Sequence, residues 1–176
     1  MIEWNFDLLF GKYALHMKIL MSAAVLLWVT TIIYQLNQRI KTRKALKNLA
    51  EQATKLTVVE FFKLRNTKKR DNKSYISKDY GFTGVYVIHN ESADLYYVGQ
   101  GKNVMNRVNS HFTGRGNGDI YADYKYGDQF TIQMISLQSS GYQNLDELEL
   151  KMIEAYNAYE KGYNRNRGNN FRNARY

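Results

Sequence analysis

The sequence predicts an α+β fold of three strands and two amphipathic helices, carried behind one membrane-spanning helix and a basic helical stalk. Three observations carry that expectation. Residues 19–38 contain no charged side chain. Two β-branched and aromatic runs, residues 84–90 and 95–99, flank a short polar stretch, the pattern of a hairpin. Apolar residues then return at helical spacing in two later segments.

The uncharged run comes first. At a helical rise of about 1.5 Å per residue its length covers about 30 Å, the thickness of a bilayer's hydrocarbon core. Trp4, Phe6, Phe10 and Tyr13 before it and Tyr34 near its end suit interfacial positions. A cleavable signal peptide competes with this reading, but Tyr34-Gln35-Leu36-Asn37-Gln38 offers no small-residue cleavage site. A buried soluble helix would need a solvated face, for which the run has too few polar residues. Only Lys12 and Lys18 precede it, whereas Arg39, Lys41, Arg43, Lys44, Lys47 and Lys55 follow. The positive-inside rule then puts the C-terminal bulk in the cytoplasm, under the cell's inner membrane. The same cations would lie against anionic headgroups or a nucleic acid backbone.

After the span, Ile40, Leu46, Leu49, Ala53, Leu56 and Val59 recur at helical intervals, so one helix with an apolar stripe is expected, and residues 40–60 offer a seam for a homodimer. Residues 66–80 lose all periodicity and read as a polar linker. The expected organisation is therefore an N-terminal segment (1–18), a transmembrane helix (19–38), a basic stalk and linker (39–80), a globular domain (81–165) and an Arg-rich tail (166–176).

Length and composition narrow the function. A chain of 176 residues suits one small domain with an appendage and excludes a multidomain enzyme. The absence of cysteine excludes a disulfide scaffold, a thiolate zinc site and a cysteine nucleophile. The net charge of +9 is uneven: residues 37–80 carry +9, residues 81–164 carry −4 and the last twelve carry +4. Basic flanks thus surround an acidic core.

Within that core, residues 102–112 read as a helix with Val104, Val108 and Phe112 on one stripe. Arg107 and His111, four apart, share a direction beside it. Residues 130–135 alternate as a third strand, and residues 145–159 form a last helix burying Leu145, Leu148, Met152 and Tyr156. Glu149 falls on the edge of that buried stripe, with Asp146, Glu147 and Glu154 on the outer face. A carboxylate against an apolar face needs a partner, a shifted pKa or a metal; a satisfied structural Glu and a ligand both fit at this point, as a surface cation fits Arg107. Gly99-Gln100-Gly101-Lys102-Asn103-Val104 begins like a dinucleotide fingerprint, but Val104 stands where the third glycine is needed. Gly114-Arg115-Gly116-Asn117-Gly118 lacks a phosphate loop's lysine and reads as a flexible surface turn.

These residues together resemble a GIY-YIG nuclease domain, closest in spacing to the phage homing endonucleases of that family. Gly84-Val85-Tyr86 matches the first signature and Tyr97-Val98-Gly99 the second, each with Val for Ile. The tyrosines are eleven apart, Arg107 follows the second by ten, His111 by four more, and Glu149 precedes Asn164 by fifteen. The resemblance covers about 80 residues and leaves the anchor unaddressed. It implies a three-stranded antiparallel sheet flanked by helices, one divalent cation (Mg²⁺ or Mn²⁺) and phosphodiester hydrolysis. Carried over by residue, Glu149 would ligate the metal, Tyr86 would help activate water, Tyr97 would position water or phosphate, and Arg107 would bind the scissile phosphate. His111 would assist proton transfer or contact phosphate. Gly84, Gly99 and Asn164 would support the site.

The chemistry is consistent with those residue types. A phosphodiester is anionic, so attack needs charge neutralised by a guanidinium and a cation. Tyrosine, with a free pKa near about 10, is a poor base without help. No helix-turn-helix or zinc finger pattern follows Asn164, so low sequence specificity is expected, with Lys102, Arg115, Arg165 and Arg167 as phosphate contacts on DNA. An inside-facing anchor on such an enzyme suggests cutting of DNA that enters through the membrane of a bacterium, as in phage defence or superinfection exclusion. The alternatives are a catalytically silent DNA- or partner-binding module, which would be marked by loss of Tyr86, Arg107 or Glu149, and a membrane-active N-terminus.

Overall fold

The structure, a computed structural model, describes residues 11–67 and 81–168. Trp4, Phe6, Phe10, most of the linker, and Arg172 and Arg175 of the tail lie outside them. The contacts divide the chain into two units, Met1–Lys41 and Thr42–Tyr176.

The first unit holds most of α1 (Ala14–Gln52), a single helix of 39 residues. None of its apolar window is buried, and it is long and apolar enough to cross a membrane. Trp28 is 67% exposed and Leu26 65%, which a buried soluble helix would not allow. Ser22, Thr30 and Thr31 turn their hydroxyls onto carbonyls three or four residues back, so these hydroxyls are satisfied within the helix.

The second unit has a four-stranded antiparallel sheet, one strand more than expected. Its order is β1 (Leu56–Thr57), β4 (Phe130–Ser136), β2 (Gly84–Asn90), β3 (Leu95–Gly101). The added strand pairs Leu56 with Ile132 and Thr57 with Thr131. It comes from a correction to the stalk: the helix ends at Gln52, the Ala50 carbonyl accepts from Gln133 Nε2 at 2.7 Å, and a new helix, α2 (Val58–Asn66), begins behind a capping box formed by Thr57 and Glu60. The break changes the phase of the stripe. Leu46, Ala50, Val58 and Phe61 are buried, whereas Val59 is 77% exposed. Of the residues expected to line a dimer seam, Leu46 is buried and Leu49, Ala53 and Leu56 pack partly against this domain's own core, whereas Ile40 and Val59 are exposed.

The remaining helices are α3 (Val104–Phe112), α4 (Gly118–Tyr126) and α5 (Leu145–Tyr156); α4 stands where no helix was expected, and α5 stops short of Tyr159. Two cores lie on opposite faces of the sheet. Tyr86 and Ile88 of β2 face a core with Val58, Phe61, Val108 and Phe112. Val85 and Val87 face another with Leu46, Leu148 and Met152, as the two-residue period of a strand requires. The α3 stripe is buried as expected; of the expected α5 stripe Leu148 and Met152 are buried, and Leu145 and Tyr156 are half-buried.

Candidate active site

The strand β3 lies at the edge of the sheet and carries Tyr97 and Gly99 of the predicted site. In the β2–β3 register Tyr86 stands opposite Gly99, and Ile88 opposite Tyr97. Tyr86 and Tyr97 therefore share one face, with ring centroids 6.1 Å apart. A Cβ on Gly99 would fall 2.4 Å from the Tyr86 hydroxyl and 3.0 Å from the Tyr97 ring, so only glycine leaves the two phenols room. Gly84 is equally constrained: a Cβ there would meet the Ile135 carbonyl at 2.1 Å.

The helix α3 closes this face. Its Asn103 cap accepts from the Asn106 N–H, and one helical turn separates Arg107 from His111. The two do not end up alike: Arg107 is exposed, and His111 is 1% exposed. His111 Nε2 lies 2.9 Å from the Tyr86 hydroxyl, and the Tyr97 ring centroid is 4.7 Å from that of His111. Burial pushes the Tyr86 and Tyr97 phenols above their ordinary range. Burial, with the nearby Arg107 cation, pulls His111 down to about 4, so it is neutral at physiological pH.

Glu149 approaches from the other side of β3. It is 8% exposed on α5, and its Oε2 accepts from Gln100 Nε2 at 3.0 Å. The same nitrogen donates to Asp146 Oδ1. Asp146 is thus half-buried beside Glu149 and not on the outer face expected for it; Glu147 and Glu154 are exposed as expected. The Glu149 charge reaches the Tyr97 phenol, which it helps to raise, so the two sides of β3 sense one another.

Asn164 holds the open edge of the strand. Its Oδ1 accepts from the Val98 N–H at 2.8 Å and its Nδ2 donates to the Val98 carbonyl at 2.7 Å. The preceding Tyr163 N–H donates to the Tyr96 carbonyl at 2.9 Å. An exposed row of strand donors and acceptors is thereby satisfied, between the two residues, Tyr97 and Gly99, that shape the site.

The basic residues expected on DNA are all exposed. Lys102 follows β3, and Arg115 lies in the turn after α3. Arg165 pairs with Asp119 at 3.0 Å, and Arg167 with Glu160 at 2.8 Å, exposed pairs that contribute about 0–1 kcal/mol each and exchange readily for a phosphate. The Gly-rich turn is tied down: the Arg115 N–H donates to the Ser110 carbonyl, and Asn117 Nδ2 to the Tyr163 carbonyl.

Three residues here were not singled out by sequence. Gln100 was legible in principle, since the strand period puts it on the α5 face with Val98. Asn117 carries the signature of a helix cap, followed two residues later by Asp119. Asp146 has no local signal, because its place depends on Gln100 across the sequence. Residues 82–164 match the family model described as the GIY-YIG catalytic domain. No curated protein and no solved structure matches the chain.

Proposed function

We propose that this chain, whose residues 82–164 match the GIY-YIG catalytic domain family, is a membrane-anchored, divalent-metal-dependent endonuclease that hydrolyses DNA with low sequence specificity. The observation that carries the reading is the convergence of Tyr86, Tyr97 and His111 on one side of β3 with Glu149 on the other, and with Arg107 near enough to act electrostatically on the first three.

The donor set fits Mg²⁺ or Mn²⁺. Among the described residues no group of three or more His, Cys, Asp or Glu could hold an ion, so an all-protein cage is not the pattern. Mg²⁺ is commonly held by one or two carboxylates, with waters and substrate oxygens completing the shell; Glu149, with Asp146 joined to it through Gln100, supplies that number. When bound, the cation supplies neutralisation of phosphate charge and a more acidic water.

The protein groups do the rest. Arg107 binds the scissile phosphate with a planar, permanently charged donor set. Tyr86, held neutral by burial, keeps its hydroxyl in reach of the attacking water, and Tyr97 positions that water or a phosphate oxygen. His111 holds Tyr86. Lys102, Arg115, Arg165 and Arg167 contact flanking phosphates, which carry no sequence information. The excess of cations after the uncharged run of α1 favours a domain on the cytoplasmic side of the inner membrane, where the enzyme reaches DNA at or entering through that membrane.

The test is supercoiled plasmid with the full chain in detergent micelles. Mg²⁺ should support nicking and EDTA abolish it; cutting unaffected by EDTA contradicts the metal dependence. For the tether, cells making a version without residues 1–36 should lose protection from incoming DNA. Equal protection with and without the anchor contradicts that part.

A further inference from the structure

We infer that Asn117, through its backbone N–H, fixes His111 as the Nε2–H tautomer, making it a permanent hydrogen-bond donor to Tyr86 and not an acceptor of the Tyr86 proton. The catalytic meaning rests on the nuclease reading above; the tautomer rests on geometry.

A backbone N–H only donates. The Asn117 N–H lies against His111 Nδ1, with N···N 2.9 Å, so Nδ1 presents its lone pair. A neutral imidazole then carries its single proton on Nε2. That nitrogen is 2.9 Å from the Tyr86 hydroxyl, so the bond runs from ring to phenol, and Tyr86 turns its own O–H away from His111. Negative charge developing on the Tyr86 oxygen would be met by a donor already in place. A second ring proton would have to sit on Nδ1, facing another N–H, an obstacle that adds to burial and to Arg107 in keeping the ring neutral. Neither nitrogen of the resting ring is open to a proton from Tyr86.

The turn that delivers this N–H is built for the task. Asn117 caps α4, its side chain accepting from the Asp119 and Ile120 N–H groups and donating to the Tyr163 carbonyl at 3.0 Å. Its backbone is therefore held from both sides. The residue before it approaches the ring so closely that a Cβ on Gly116 would stand 2.6 Å from His111 Nδ1. Asn117 is a positioning residue: it touches no reacting atom and acts through His111.

The experiment is ¹⁵N spectroscopy of histidine-labelled full chain in detergent micelles. There are three histidines, His16, His89 and His111, and the His111 signals are those lost in His111→Gln. The expected result is a neutral ring with a protonated Nε2 and a bare Nδ1, unchanged from pH about 8 down to about 5.5. A proton on Nδ1, or a ring that titrates at the ordinary value, overturns the inference. Gly116→Ala should disturb this signature; an unchanged spectrum overturns the claim that the turn sets it. These readouts need no cleavage, so they stand or fall apart from the nuclease reading. Plasmid cutting gives the catalytic half. Gln donates but cannot carry a proton, so His111→Gln should cut about tenfold or more faster than His111→Ala. Equal loss in both variants overturns the donor role.

Discussion

On the α3 side of β3 the groups packed against the core are neutral rings, with the Arg107 cation exposed beside them; on the α5 side they are two carboxylates joined by an amide. Tyr86, Tyr97 and His111 are rings packed in the core, and burial moves each of them toward its uncharged form. Glu149 and Asp146 instead converge on Gln100, at the margin of an otherwise apolar core. One edge strand separates the two sets, and Asn164 fixes that strand by both backbone groups of Val98. On the proposed reading the contrast is a division of labour: one side would hold a hydroxyl and a water, the other a cation, and the strand sets the distance between them.

Removing one group from each side sharpens this comparison. Tyr86→Phe keeps the ring in the core and deletes only the hydroxyl; cutting should fall by about 10²–10⁴-fold, while the unfolding temperature changes little. Cutting at the original rate would mean that the α3 side takes no part. Gln100→Ala releases the two carboxylates on the other side. Mn²⁺ affinity, measured by electron paramagnetic resonance without DNA, should weaken by about 10–100-fold, and an unchanged affinity would mean that the amide does not organise them.

Asn164→Ala tests the strand between the two sides. It strands the Val98 N–H and carbonyl, so chemical unfolding in detergent should show a loss of about 1–3 kcal/mol. Loss of cutting without loss of stability would make Asn164 a participant in the chemistry and not a brace. A further test concerns His111. Its folded pKa is about 4 against an ordinary 6.5, so the unfolded chain binds the extra proton between those values. Stability from this group is complete above pH about 6.5 and is lost as pH falls toward about 4. The difference between wild type and His111→Gln should show that slope; a slope of opposite sign would contradict a buried neutral ring.

Much of the domain was legible because its signals are local. The strands β2 and β3 are β-branched and aromatic runs around a polar turn, β4 alternates, the stripes of α3 and α5 repeat at helical spacing, and Glu149 stood out as a carboxylate on the edge of a buried stripe. The misses also have physical causes. Helical spacing continues from Leu46 to Val59, so a break there is masked, and a two-residue strand has no period of its own; the Thr57-Val58-Val59-Glu60 capping box was the one local warning. Only Ile120 is buried in α4, so that helix shows no apolar stripe. The link from Gln100 to Asp146 and Glu149 spans 46 and 49 residues of sequence, and only the assembled sheet brings it about.

The central claim is that both sides of β3 serve one hydrolytic site, and Glu149→Gln in the full chain tests it most directly. The change keeps the shape and removes the charge. Plasmid binding and Mg²⁺-dependent nicking, measured side by side, should separate: binding stays close to wild type and nicking is lost. Nicking that persists at the wild-type rate would contradict the account.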